Sequence, residues 1–278
     1  MSSNTIEHHE AIDFPIVGVG ASAGGLDAFK RFIKNIPEKS GMAFVFVQHL
    51  APAHESILPE LLAKETNIPV YEITDAINLA PNSIYVIPEN KILTAYDGKL
   101  KLEPRDKDKL NMPIDLFFNS IAEVHKGFAR GVILAGNGFD GTRGLKTIKE
   151  YGGSTFVQNP ESVDFDSMPL SAINSGAADF VLEAEEIPEQ LLNIDSAYES
   201  SFAYAEEKQH LPKTDEDLFK QIIRLLRLRT GNDFSHYKQP TIRRRIARRM
   251  VITKNKNPED YVNFLQASKK EQDALFND

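Results

Sequence analysis

Three residues of this chain could do hydrolytic chemistry together if the fold brought them to one place. Ser22 lies in GVGASAGGLDAF (18–29), where the apolar run PIVGV gives way to small residues. A serine hydroxyl is a poor nucleophile until a base takes its proton. His49, in VFVQHL (45–50), supplies a base. That base needs an acid to orient it and to stabilise its cation. Asp140, in LAGNGFDGTRG (134–144), supplies one. Small neighbours let a substrate carbonyl approach Ser22, and the unpaired N–H groups that open a helix can hold an oxyanion.

Taken singly, each residue has a plain explanation. Ser22 reads as a turn residue or helix cap, His49 as a hydrogen-bonded strand end, and Asp140 as an Asp-Gly turn. What joins them is that each follows a candidate strand. His54 is a rival base, but it lies past Pro52 near a helix start; His8, His9, His125, His210 and His236 fit the geometry less well. The same glycines also admit a different chemistry. Gly18, Gly20 and Gly24 make a loose version of the dinucleotide phosphate-binding fingerprint. That fingerprint wants a carboxylate at the end of the second strand to hold a ribose hydroxyl, and this sequence has Gln48 and His49 there.

The elements that must position these residues alternate. Candidate strands are 15–20, 42–48, 84–89, 130–136, 154–158 and 179–182, several of them apolar at nearly every position, as parallel strands buried on both faces are. Between them Leu26, Phe29 and Ile33 share one helical face, as do Leu58, Leu61 and Leu62. Ile114, Phe117, Phe118 and Ile121 mark a third helix with Gly127 as its stop; Leu145 and Ile148 mark a fourth that ends at Gly152-Gly153. Residues 91–104 read as a hairpin around Asp97-Gly98. The fold class is α/β: a doubly wound, mostly parallel sheet with helices on both faces, followed by a small all-helical unit. In such a fold Ser22, His49 and Asp140 leave the same edge of the sheet, where ligands bind.

The expected division is a polar N-terminus (1–12), a catalytic domain (13–193), a linker (194–213) and a helical unit (214–278). In the last unit Leu218, Ile222, Leu225 and Leu226 share one side of a helix, Ile242, Ile246 and Met250 recur every four residues, and Asn257-Pro258 opens a further helix. Charge divides along the same line. Residues 213–278 hold 15 Lys and Arg against 9 Asp and Glu, so of the chain's 32 and 40, 17 and 31 fall before them. Such a split favours contact between an acidic unit and a basic one. The absence of cysteine excludes disulfides and thiolate metal sites. With no apolar run of membrane-spanning length and no hydrophobic signal core, a cytoplasmic protein is expected, without membrane insertion.

GASAGG, VQHL and LAGNGFDGTRGL, in that order, resemble the catalytic domain of the CheB-type chemotaxis protein-glutamate methylesterases. GGSTFVQNPES and DSMPLSAINSGAADFVL extend the resemblance over residues 13–193. It implies a Ser22–His49–Asp140 triad that hydrolyses γ-glutamyl methyl esters of chemoreceptors, with glutamine deamidation in some members, and no metal or cofactor. The implied partners are a methylated chemoreceptor or an analogous signalling protein, with a methyltransferase, fused or separate, and a kinase system. Ala23, Asn137 and Gly138 fall at the oxyanion and substrate pocket. Two of these depart from the family pattern: Ala23 stands where threonine is common, and Asn137 where methionine is. The family's receiver domain has no counterpart in the dozen residues before the first strand. TGNDFSHYKQPTIRRRIARRM resembles the helical start of a CheR-type receptor methyltransferase, so the layout resembles the front of a methylesterase–methyltransferase fusion. The donor-binding α/β domain of that family lies beyond the residues present, and no transferase activity is expected of them. The alternative is a non-catalytic signalling scaffold that keeps the esterase fold for docking.

Arg243, Arg244, Arg245, Arg248 and Arg249 form a dense basic patch, read first as the solvated face of an amphipathic helix. The resemblance offers contact with acidic receptor helices and the methyl donor instead. Nucleic-acid binding is disfavoured by the acidic chain and its sparse aromatic interleaving.

Overall fold

The computed structural model describes residues 14–48, 57–96, 99–106, 111–200, 213–234 and 237–278. In chain order the first elements are β1 (Ile16–Ala21), α1 (Gly25–Lys34), β2 (Ala43–Gln48), α2 (Leu58–Ala63), β3 (Val70–Glu72), β4 (Ile77–Asn78), β5 (Ser83–Val86), β6 (Lys91–Tyr96) and β7 (Lys99–Pro104). Then come α3 (Pro113–His125), β8 (Ala129–Ile133), α4 (Thr142–Glu150), β9 (Ser154–Gln158), α5 (Ser167–Asn174), β10 (Phe180–Leu182) and α6 (Ile187–Ser200). The last four helices are α7 (Lys213–Thr230), α8 (Gln239–Ile252), α9 (Pro258–Ala267) and α10 (Lys269–Asn277).

Seven strands form one sheet in the order β10-β9-β8-β1-β2-β5-β3, and every pairing in it is parallel. β4, β7 and β6 make a small antiparallel sheet, in which Tyr96 pairs with Lys99 as the hairpin reading requires. The Asp97-Gly98 turn itself lies outside the described residues.

β1 shows why the sheet is wound on both faces. Val17, Val19 and Ala21 join a core with Phe29, Phe32 and Ile33 of α1 and Leu191 of α6. Ile16 joins the opposite core, with Ile114, Phe117 and Phe118 of α3 and Leu145 of α4. Each large side chain so buried stabilises the fold by roughly 1.5–3 kcal/mol. Between the large residues, Gly18 and Gly20 let α3 lie close to the strand. A Cβ at Gly18 would stand 2.7 Å from the Phe118 ring, and one at Gly20 2.5 Å from Ile114 Cγ2. Two of the three fingerprint glycines are therefore taken up by helix packing.

Two boundaries differ from the sequence reading. α3 stops at His125, and Lys126, at φ +50°, carries the reversal expected of Gly127. α6 runs to Ser200, through the first part of the expected linker, because Leu191 and Ile194 keep its apolar face on the core. Residues 201–212 lie outside the described residues.

The arginine cluster is not a solvated face. Arg243 and Arg248 are 0 % and 2 % exposed. Arg243 pairs with Glu216 at 2.7 Å and lies 4.1 Å over the Phe219 ring, inside the helical unit. Arg249 makes two bonds to Glu271, at 2.9 and 2.6 Å. Arg245 donates to the Glu150 carbonyl at 3.0 Å, and Arg248 to the Gly153 carbonyl at 2.9 Å. Arg248 also faces Asp179 at 3.5 Å, and Arg244 packs on Gly127 and over Phe128. Gly127-Phe128, Gly153 and Asp179 precede β8, β9 and β10, so α8 docks on the amino edge of the sheet. A buried guanidinium without partners would carry a large desolvation cost; Arg245 and Arg248 meet carbonyls and Asp179 of the sheet unit, while Arg243 and Arg249 pair with carboxylates of their own unit.

Candidate active site

The carboxyl edge of the same sheet holds the serine. β1 ends at Ala21, and Ser22 follows between strand and helix. Its N–H donates to the Ala135 carbonyl beyond β8, and its carbonyl accepts from Gly25 at 3.0 Å. Gly24, at φ +72°, turns the chain into α1, a conformation that L side chains rarely adopt. Among the described residues the N–H groups of Ala23 and Gly24 take no protein partner. They face the end of the helix where a developing negative charge is stabilised.

Asp140 comes to this edge from β8. The loop after β8 starts beside the serine: a Cβ at Gly136 would stand 3.0 Å from Ser22 Cβ. Asp140 is 5 % exposed. Its Oδ2 accepts the Ile114 N–H at 3.1 Å and its Oδ1 the Asp115 N–H at 2.9 Å. Pro113 occupies the first position of α3 and has no N–H, so Asp140 takes the next two orphan donors of that helix. Burial pushes its pKa up to about 6, against the pull of those two N–H groups.

The register pairs Ala21 with Gln48, so the residues next along the two chains are Ser22 and His49. His49 itself, like His8, His9, His54, His210 and His236, lies outside the described residues. His125, the one histidine among them, sits at the end of α3 on the amino edge, away from Ser22. Burial pulls its pKa down to about 4.

Asn137 and Gly138 are exposed on the loop between Ser22 and Asp140. The Gly138 N–H donates to Ser167 Oγ at 3.2 Å, and Ser167 Oγ lies 3.4 Å from Asn137 Oδ1. That N–H is therefore engaged, whereas those of Ala23 and Gly24 find no partner among the described residues. Residues the sequence reading did not single out complete the surroundings. Met168 places its sulfur against Gly136. Phe165 accepts the Gly136 N–H at its carbonyl and lays its ring 2.9 Å from the Cβ direction of Gly24. A cavity of about 570 Å³ adjoins this turn, lined by Gly24, Asp27, Arg31, Glu161, Asp164 and Phe165 among others. Among the described residues no cluster of His, Asp and Glu could hold a metal ion, and no helix is long and apolar enough to cross a membrane.

Fold and geometry together define a doubly wound α/β protein in which Ser22 and the loop of Asp140 meet at the carboxyl edge of the sheet. The family profile for CheB methylesterase matches residues 17–191, and that for the all-alpha domain of CheR methyltransferase matches residues 217–278. The crystal structure of the Thermotoga maritima CheB methylesterase catalytic domain superposes with a TM-score of 0.60 at 33 % identity, covering 66 % of this chain and 100 % of that one. A Leptospira interrogans protein is 32 % identical over 186 residues, 66 % of this chain and 96 % of that one. The protein-glutamate methylesterase/protein-glutamine glutaminase of Thermotoga maritima is 33 % identical over 189 residues, 66 % of this chain and 55 % of that one. An uncharacterised 104.1 kDa protein of Rhodobacter capsulatus is 30 % identical over 238 residues, 78 % of this chain but 25 % of that one. The chain belongs to the CheB methylesterase family and carries a CheR-type all-alpha domain after it.

Proposed function

We propose that this chain is a protein-glutamate methylesterase in which Ser22 is the nucleophile, His49 the general base and Asp140 the residue that orients the imidazole. Ser22 attacks the ester carbonyl as His49 takes its proton. The N–H groups of Ala23 and Gly24 receive the oxyanion. His49 then protonates the leaving methoxide, methanol departs, and water releases the acyl group as glutamate by the same steps. The observation that carries this reading is the meeting of Ser22 with the loop of Asp140 at adjacent strand ends. The β1–β2 register pairs Ala21 with Gln48, the residue before His49 in sequence, which supports His49 as the base.

The substrate we infer is a methyl-esterified glutamate on a chemoreceptor-type signalling protein, the class acted on in this family. Residues 13–193 would carry the activity and 214–278 the CheR-like unit. Methanol release from a methyl-esterified receptor fragment should occur with the full chain and be lost in Ser22→Ala at unchanged Tm. A fluorophosphonate probe should label the chain stoichiometrically at Ser22, and His49→Ala should abolish that labelling. Labelling independent of His49, with no methanol released, would favour the scaffold reading.

A further inference from the structure

Asp115 is buried beside the site, and the mechanism above leaves it without a role. It is 4 % exposed and lies in the first turn of α3. Its backbone N–H goes to Asp140 Oδ1 at 2.9 Å. Its own Oδ1 accepts the Gly144 N–H, in the first turn of α4, at 2.7 Å. The two carboxylates thus cross: Asp140, just before α4, holds the opening of α3, and Asp115, in α3, holds the opening of α4. The helices meet closely there, since a Cβ at Gly144 would stand 3.2 Å from the Asp115 carbonyl oxygen. The loop 136–141 is pinned between these two bonds on one side and Ser22 on the other. Thr142 Oγ1 adds a bond to Ser171 Oγ of α5 at 3.1 Å.

We infer that Asp115 is a positioning residue for this esterase: it fixes the loop that carries Asp140 and sets the charge against which Asp140 works. The inference rests on the triad reading. Its electrostatic part follows from the geometry. Both carboxylates are buried at the helix openings, and the Asp115 charge makes Asp140 harder to ionise. Arg143, from α4, faces Asp115 and eases its ionisation. Burial raises Asp115 above the usual carboxylate range, and its charge contributes to the elevation of Asp140. Removing the Asp115 charge should let Asp140 ionise at lower pH.

Two variants of the full chain separate the parts. Asp115→Asn keeps an oxygen for the Gly144 N–H and removes the charge. Its methanol-release rate at pH 8 should stay within about twofold of wild type, while the acid limb of kcat/KM moves down by about half a pH unit. Asp115→Ala removes the bond as well, and kcat should fall about tenfold with KM unchanged, the effect of one lost hydrogen bond on positioning. Carbon-detected NMR titration of the Asp140 carboxyl, in wild type and Asp115→Asn, reads the coupling without turnover. A downward shift in the variant supports the inference; an unmoved Asp140 titration overturns it, as does an Asp115→Ala enzyme with wild-type kcat and acid limb. Equal turnover by Ser22→Ala would instead remove the triad reading, and the NMR titration would still decide whether Asp115 acts on Asp140.

Discussion

The two edges of the parallel sheet are built from the same kinds of residue and do opposite things with them. At the carboxyl edge, small residues surround Ser22, an aspartate is held by helix N–H groups, and two N–H groups at the start of α1 have no protein partner among the described residues. At the amino edge, an aspartate is again buried, but Asp179 is met by Lys149 at 3.0 Å, Arg248 at 3.5 Å and the Thr155 N–H at 3.0 Å. The carboxyl edge keeps a carboxyl group against its preference for water. The amino edge neutralises one. A buried group held near its titration point is available for chemistry; one ringed by cations is available only for cohesion. The contrast also places the basic helices. They meet the acidic unit, as the charge split suggests, but behind the site and not across it.

Breaking the carboxyl edge should have the largest effect. Asp140→Asn should lower kcat about 10³-fold in the methanol-release assay, because the amide cannot stabilise the imidazolium. Breaking the amino edge should change stability alone. Arg248→Ala leaves the Gly153 carbonyl and Asp179 short of a donor, with Lys149 still present. It should cost about 3 kcal/mol in urea unfolding, at wild-type kcat per folded molecule.

The edges should also respond to pH in opposite senses. Asp140 is held at about 6, above its ordinary 3.8. Between these values the folded chain keeps a proton that the unfolded chain has lost. Its contribution to stability is therefore full below about pH 4 and is lost as pH rises to about 6. His125 is held at about 4, below its ordinary 6.5. Its contribution is full above about pH 6.5 and is lost as pH falls towards 4. Stability measured by urea unfolding between pH 4 and 6.5 should rise with pH more steeply in Asp140→Asn than in wild type. In His125→Gln it should rise less, or fall. Parallel curves for all three would contradict the assignment of these shifts.

The smallest effect belongs to a helix start. Ser268 Oγ accepts the Glu271 N–H at 3.2 Å and caps α10. Ser268→Ala should lower stability by about 1 kcal/mol without touching turnover.

That cap shows what the sequence made legible and what it did not. S-x-x-E at 268–271 has the capping-box pattern ahead of Leu275, a signal in the sequence for α10. The strands that precede Ser22, His49 and Asp140 in sequence are legible because buried parallel strands are apolar throughout, and the edge of the sheet follows from the alternation with helices. β3 and β4 are not, because three and two residues carry no period. The arginines misled for a related reason. Periodicity places a residue on a face of its own helix, and only tertiary structure shows that Arg248 meets the Gly153 carbonyl, 95 residues away in sequence. Asp115 was hidden in the same way: an acid in the first turn of a helix reads as a local dipole effect, while its partner Gly144 is 29 residues on.

The central claim is that chemistry sits at one edge of the sheet and cohesion at the other. Methanol release from a methyl-esterified receptor fragment, normalised to folded protein, tests it with Ser22→Ala and Arg248→Ala side by side. The account expects no release from the first and the wild-type rate from the second. Turnover retained by Ser22→Ala, or lost by folded Arg248→Ala, would contradict it.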